Sequence, residues 1–132
     1  VMAQEGTISK PGEHKDPAAC EHISRMLARI CDKWTVLVIR TLGRGPRRFN
    51  ALRRDVGEIS QKMLTQTLKE LEENGLVKRT VTPVRPPQVE YALTDLGKDF
   101  LRPVRALAQW VATHSDQITE ARSTYAHVRA ND

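Results

Sequence analysis

Apolar positions along the chain follow two periods in turn. From Pro17 onward, Ile23, Met26, Leu27, Ile30 and Trp34 keep the i, i+3, i+4, i+7, i+11 spacing of one helical stripe, which predicts a first helix buried along that line. Asp32 stands where it can cap a second helix, Lys33 to Leu42. The TVLVIRTL run in that helix is apolar on nearly every side, so it is predicted for the middle of a domain. Gly43 and Gly45 stop it, and Pro46 favours a restart. A short third helix is expected from about Arg48 to Val56, with Phe49, Leu52 and Val56 inward and Asn50, Arg53 and Arg54 outward. Gly57 turns the chain, and Ser60 caps a fourth helix running to about Asn74, with Gly75 as its left-handed stop.

The fourth helix has two unlike faces. At 100° per residue Leu64, Thr67, Leu68 and Leu71 share one arc, and Lys62, Thr65, Gln66 and Lys69 share the opposite one. The period then changes to two. Val77, Arg79 and Val81 alternate with Lys78, Thr80 and Thr82, and Val89, Tyr91 and Leu93 repeat the pattern. Between these runs lies Pro83-Val84-Arg85-Pro86-Pro87, a stiffened loop with one arginine near its tip. Thr94 caps a fifth helix whose stripe, Phe100, Val104, Leu107 and Val111, is widened by Leu101 and Trp110. Past His114 the pattern weakens through Ile118, Tyr125 and Val128, which predicts a further helix to about Tyr125 and a frayed end.

Two helices joined by a glycine turn and followed by a hairpin describe a winged helix-turn-helix, an α+β and mostly helical class. Residues 1–16, polar and broken by Gly6, Pro11 and Gly12, are expected to be a flexible arm. The winged domain with its dimerisation helices is placed at 17–113, and a partly helical C-terminal extension at 114–132. The wide stripe on the fifth helix, joined by the first, is the expected dimer interface; covering the hairpin's inner face is the plainer alternative.

Charge sharpens this picture. The net charge of the 132 residues is +5. Ten Lys/Arg and five Asp/Glu fall between Arg40 and Arg79, which leaves eleven of each elsewhere, so the whole excess lies in one window. Such a window is the footprint of a phosphate-contacting surface, although a solvated basic face gives the same count. The longest apolar run, Val36 to Ile39, is far too short to span a bilayer, and the N-terminus lacks the apolar centre of a secretory signal. A cytoplasmic location with no membrane partner is therefore expected. His14, His22, His114 and His127 are scattered, and Cys20 with His22 offers two ligands where zinc wants four. With no phosphate-cradling glycine loop either, neither catalysis, a metal nor another cofactor is expected.

The candidate contacts follow from helix-end chemistry. Free N–H groups at a helix start, aided by the macrodipole, hold phosphate. Pro46-Arg47-Arg48 and Ser60-Gln61-Lys62 are placed to grip the backbone of double-stranded DNA on either side of a groove, with Asn50 exposed nearby. Gln61, Thr65 and Gln66 can reach base edges, Lys62 and Lys69 phosphate or guanine, and Arg85 an adjacent minor groove. Met63 and Trp34 are assigned to the core.

The segments KWTVLVIRTLGRGPRRFNALRRDV, GEISQKMLTQTLKELEENGLVKRTV and PPQVEYALTDLG resemble the HxlR-type family of bacterial winged helix-turn-helix transcription regulators. The resemblance spans about Cys20 to Trp110 and rests on the order and spacing of Lys33-Trp34, Gly45-Pro46, Arg48-Phe49-Asn50, Ile59-Ser60, Val89-Glu90-Tyr91 and Leu96-Gly97. It implies a homodimer paired through terminal helices on a roughly palindromic operator, and a response to redox or electrophile stress through a cysteine near the first helix, here Cys20. The chain departs from the family at Cys31-Asp32, where Gly-Gly is common, and at Gln88, where an arginine often follows the two prolines. Cys20 and Cys31 would lie about 16 Å apart on one unbroken helix. An intermolecular bridge or a mixed disulfide with a small thiol is then the workable chemistry of either; two space-filling thiols are the alternative. A second functional class stays open: a winged-helix module that contacts a protein partner, with weak or no DNA binding.

Overall fold

The computed structural model describes residues 17–131; the arm expected at 1–16 lies outside them. Five helices and a small sheet follow in the order α1 (Pro17–Ile30), α2 (Lys33–Leu42), β1 (Arg47–Arg48), α3 (Phe49–Val56), α4 (Gln61–Glu73), β2 (Val77–Thr82), β3 (Gln88–Leu93) and α5 (Asp95–Asn131). This is the winged helix-turn-helix architecture that the periodicity predicts.

α2 starts where Asp32 accepts from the Trp34 and Thr35 amides at 2.7 and 3.2 Å, which satisfies two otherwise orphaned donors. Val38 and Ile39 are fully buried, and α2 packs against α3, α4, α5 and β3. Around it the core closes with Leu52 of α3, Ile59 of the turn, Leu64, Leu68 and Leu71 of α4, Leu76, Val77, Leu93, and Leu101 and Val104 of α5. Buried Thr41 donates its hydroxyl to the Leu37 carbonyl at 2.9 Å, so a polar atom in this interior is satisfied.

α4 is bounded by local chemistry. Ser60 Oγ accepts from the Met63 amide at 3.0 Å. At the other end the Leu76 amide reaches back to the Leu71 carbonyl at 2.9 Å and the Gly75 amide to Glu72 at 3.1 Å, a Schellman closure. That closure needs φ = +75° at Gly75, which a side chain would strain. Leu64, Thr67, Leu68 and Leu71 are buried, the arc that the sequence assigns to the core.

β2 and β3 form the antiparallel hairpin, in register from Val77 opposite Leu93 to Thr82 opposite Gln88. A third strand, which no periodicity predicts, completes the sheet. Arg47 and Arg48 pair with Tyr91 and Glu90, giving the sheet order β1-β3-β2. The third helix therefore starts at Phe49 rather than Arg48, and the two arginines are held extended at the sheet edge.

Two further expectations change. The α1 stripe is not buried: Ile23, Met26 and Leu27 are 42%, 38% and 51% exposed, and only Ile30 and Trp34 pack against the core. Nor does the chain break near His114, because α5 is one helix of 37 residues, about 55 Å long at 1.5 Å per residue. No residue of α5 beyond Val104 is buried, so the C-terminal residues continue the same helix across the 113/114 boundary without joining the core.

α5 is anchored where α4, β2 and β3 meet. The Thr94 hydroxyl donates to the Gly75 carbonyl at 2.6 Å and accepts from the Gly97 amide at 3.0 Å. The Thr94 amide donates to the Leu76 carbonyl at 3.1 Å. Gly97 lies so close that a Cβ there would collide with that same Leu76 carbonyl. Gly97→Ala is expected to lower stability by about 1–3 kcal/mol, the usual cost of overpacking. Thr94→Val, which loses the hydroxyl alone, is expected to cost about 1 kcal/mol. Thermal melts of both check this, and a neutral Gly97→Ala would mean that α5 can slide off the hairpin freely.

Candidate nucleic-acid interface

The predicted contact residues divide into three groups in space. Ser60, Gln61, Lys62, Thr65, Gln66 and Lys69 all lie exposed on α4. Because Ser60 caps only the Met63 amide, the amides of Gln61 and Lys62 are left at the helix start with no intrahelical acceptor. That is the arrangement in which a helix end attracts an anion. Thr65 donates its hydroxyl to the Gln61 carbonyl at 2.8 Å, so its methyl is the group left for contact. Met63, assigned above to the core, is 42% exposed instead. It lies about 90° from the middle of the buried arc, at the border between the two faces. Trp34 is half-buried with Lys33 Nζ 4.6 Å from its ring, in keeping with a packing role.

The second group belongs to β1 and α3. Arg47 is occupied within its own loop: Nε donates to Asp55 at 3.0 Å and one terminal nitrogen to the Gly45 and Pro46 carbonyls at 2.9 and 3.0 Å. Arg48 donates to Gln88 Oε1 at 2.6 Å, tying β1 to the base of the wing loop. Gln88 thus serves as acceptor for an arginine forty residues earlier. Asn50 is exposed and lines a shallow depression with Arg53, Arg54 and Gly57. The third group is Arg85 alone, exposed on the loop between β2 and β3.

Sequence reasoning missed the part played by Arg53. Its Nε donates to the Ile59 carbonyl at 3.0 Å across the turn, while Ile59 is buried and its amide bonds the Gly57 carbonyl at 2.9 Å. Arg53 therefore ties the end of α3 to the turn that precedes α4. Only an i, i+6 spacing into a turn hinted at it, and that spacing has no recognised signature.

The window's charge is basic in excess and hardly paired. Among the described residues, Arg47–Asp55 is the only ion pair, so the other nine Lys/Arg and the other four Asp/Glu between Arg40 and Arg79 have no partner of opposite charge within 4.0 Å. Among the described residues no three of His, Cys, Asp and Glu gather as a metal site requires, and no helix is long and apolar enough to cross a membrane. Cys20 and Cys31 are both exposed, one on α1 and one at its junction with α2.

A capped polar-faced helix, a glycine turn before it and a hairpin after it define a winged helix-turn-helix protein. The chain belongs to the HxlR-like helix-turn-helix family, whose pattern matches residues 29–119. It is 40% identical over 97 residues to the HTH-type transcriptional regulator YtfH of Escherichia coli (strain K12), covering 74% of this chain and 77% of that one. Among solved structures it is similar to the transcriptional regulator ytfH from Salmonella typhimurium, with TM-score 0.71, 40% identity, and 76% and 90% of the two chains covered. The redox regulator HypR in its reduced form is also similar, with TM-score 0.70, 34% identity, and 75% and 98% covered.

Replacing Arg53 by Met should free the turn. The Gly57–Ser60 amides are expected to lose hydrogen-exchange protection and the domain about 1–2 kcal/mol, since the Ile59 carbonyl loses a charged donor. Arg54→Met should stay within about 0.5 kcal/mol of the parent. Equal behaviour of the two variants would remove Arg53 from this role.

Proposed function

We propose that the chain is a DNA-binding transcriptional regulator that acts as a homodimer on a pseudo-palindromic operator. The observation that carries this reading is α4, with its open N-terminal amides and its exposed Gln61, Lys62, Thr65, Gln66 and Lys69 beside unpaired basic charge. Lys62 and the Gln61 and Lys62 amides are assigned to phosphates, and Gln61, Gln66 and the Thr65 methyl to base edges. Lys69 on α4 and Asn50 on α3 are assigned supporting contacts to the same duplex. Arg85 is assigned to the neighbouring minor groove. Arg48, engaged with Gln88, approaches phosphate from the sheet edge, and Arg47 acts mainly by shaping the turn before α3.

Homodimerisation is supported by apolar surface that the monomer leaves uncovered. Along α5, Leu107, Val111, His114, Ile118, Ala121, Tyr125 and Val128 follow strict alternating steps of four and three residues, and the large apolar ones among them are 40–66% exposed. That spacing is the seam of a coiled coil. The exposed Ile23, Met26 and Leu27 of α1 extend it. A dimer would present two copies of α4 to half-sites one or two helical turns apart, roughly 34 Å per turn. Redox or electrophile control through Cys20 is the finer part of the proposal. It is supported by the exposure of that residue and by the similarity to HypR, a redox regulator.

Lys62→Ala is expected to weaken binding to operator and random duplex alike and to reduce the slope of log K against log salt by about 1. Gln66→Ala should instead cost about 1–3 kcal/mol on the operator only. Equal, feeble binding to all sequences by the parent chain would favour the alternative, a module for a protein partner. In the same titration an oxidant should shift operator affinity for the parent and leave Cys20→Ser unmoved; an identical response would make Cys20 structural. For the dimer, sedimentation of Ile118→Asp/Tyr125→Asp should give a monomer where the parent gives a dimer.

A further inference from the structure

A second basic feature lies away from the α4 face. Between the end of α2, the base of the hairpin and the first turns of α5 is a cleft of about 550 Å³. Its floor is apolar, made by Leu42, Leu93 and Leu101 with Ala92 beside them. Its rim carries Lys78 of β2 and Lys98, Arg102 and Arg105 of α5. No carboxylate lines it. None of the four cations has an ion-pair or side-chain hydrogen-bond partner among the described residues. Lys98, Arg102 and Arg105 are spaced i, i+4, i+7, so three like charges share one helix face, a repulsive arrangement in the empty state. Asp99, the acid between them in sequence, opens on another side of α5 with Met26, Leu96 and Phe100, and Asp55 shares a separate depression with Arg105 alone of the four.

The position argues against a simple extension of the DNA surface. Lys78 follows the C-terminal end of α4, about 20 Å from its N-terminus at 1.5 Å per residue. It is about 17 Å along β2 from the start of the Pro83–Pro87 loop at 3.3 Å per residue. The volume falls in the range of about 300–1,000 Å³ typical of small-molecule sites.

We propose that this cleft binds a small organic anion, a carboxylate carrying an apolar body. The body would cover Leu42, Leu93 and Leu101, and the carboxylate would draw Arg102 and Arg105 into charge-assisted hydrogen bonds, with Lys78 and Lys98 closing the rim. Because the walls belong to the α2–β1 turn, the hairpin and α5, a bound anion fixes α5 relative to the wing and so the spacing of two α4 helices. That last step rests on the dimeric DNA-binding reading; the binding itself does not.

Isothermal titration calorimetry on the full chain tests the site with octanoate and benzoate, against acetate and hexanol. One amphipathic anion per chain is expected, bound at least about tenfold more tightly than acetate or hexanol. Lys98→Gln/Arg102→Gln, checked for an unchanged melting profile, should lose at least about tenfold. Ala92→Leu, which fills the cleft and leaves the charge alone, should lose as much. Binding of acetate as tight as that of octanoate and benzoate, no binding of either, or full binding by the double variant would each overturn the site. In gel shifts, octanoate should change operator affinity of the parent and not of the double variant. An unchanged affinity with octanoate bound overturns the regulatory step alone. Failure of the parent to bind any duplex overturns the DNA reading, while the calorimetry still decides the cleft. A double variant that weakens duplex binding and flattens its salt dependence, with neither anion bound by the parent, makes these cations phosphate contacts and overturns the proposal.

Discussion

One residue joins four elements. Thr94 Oγ1 bonds the carbonyl of Gly75, which ends α4, and the amide of Gly97 in the first turn of α5; Thr94 itself ends β3, and its amide holds Leu76 at the start of β2. The direction of α4, the root of the wing and the departure of α5 are therefore set within a few ångströms. Gly97 keeps this junction tight, because the approach of α5 to the Leu76 carbonyl leaves no room for a Cβ. Orientation is what a reading helix needs. A groove-reading residue displaced by an ångström loses its hydrogen bond, whereas a lysine on a phosphate tolerates the shift.

The parts legible in the sequence are those with local causes. Asp32, Ser60 and Thr94 each cap the helix expected of them, because a cap needs only a short acceptor two or three residues before an amide. Gly75 stops α4 because only a left-handed residue permits the closing bonds. The two faces of α4 separate as the 100° plot divides them. What stayed hidden depends on distant partners. β1 is two residues long, too short for any period, and exists only because β3 accepts it. Gln88 looks like one more polar residue beside the wing loop until Arg48, forty residues earlier, is found bonded to it. Arg53 looks like one more solvated charge until the Ile59 carbonyl is placed beneath it.

The α1 stripe teaches a different lesson. Its periodicity correctly marks a helix with one apolar face, yet periodicity does not say whose surface covers that face. The same holds for α5, where the pattern fades past Val111 because two seam positions are His114 and Ala121, neither large nor apolar enough to register. The helix continues regardless. Isolated helices are marginal in water, and their order in proteins comes chiefly from packing of an amphipathic face. Some 27 residues of α5 follow Val104 with none buried, so the stripe is incomplete as a monomer surface. A seam that repeats in steps of four and three fits another helix better than it fits the flat face of a hairpin. The alternative of covering the wing's inner side also fails on burial, since Leu107, Trp110 and Val111 remain about half exposed beside a completed core.

Unpaired positive charge is the remaining constraint, and it acts on two surfaces at once. Exposed ion pairs contribute little to stability, so a chain has small incentive from folding either to make or to avoid them. Among the described residues nine of the ten cations in the 40–79 window have no acidic partner within 4.0 Å, so folding leaves that charge open to an anion. On α4 the cations stand beside open backbone amides and amide side chains, a surface matched to a polyanion whose bases can also be read. At the root of α5, Lys78, Lys98, Arg102 and Arg105 ring an apolar floor, a surface matched to a single charge on a greasy body. Both surfaces meet the same rigid junction at Thr94, one through α4 and the other through α5. In the proposed dimer, neutralising the cations at the root of α5 would relieve repulsion along the helix that holds two α4 helices at a fixed spacing, so occupancy of one surface would bear on the other.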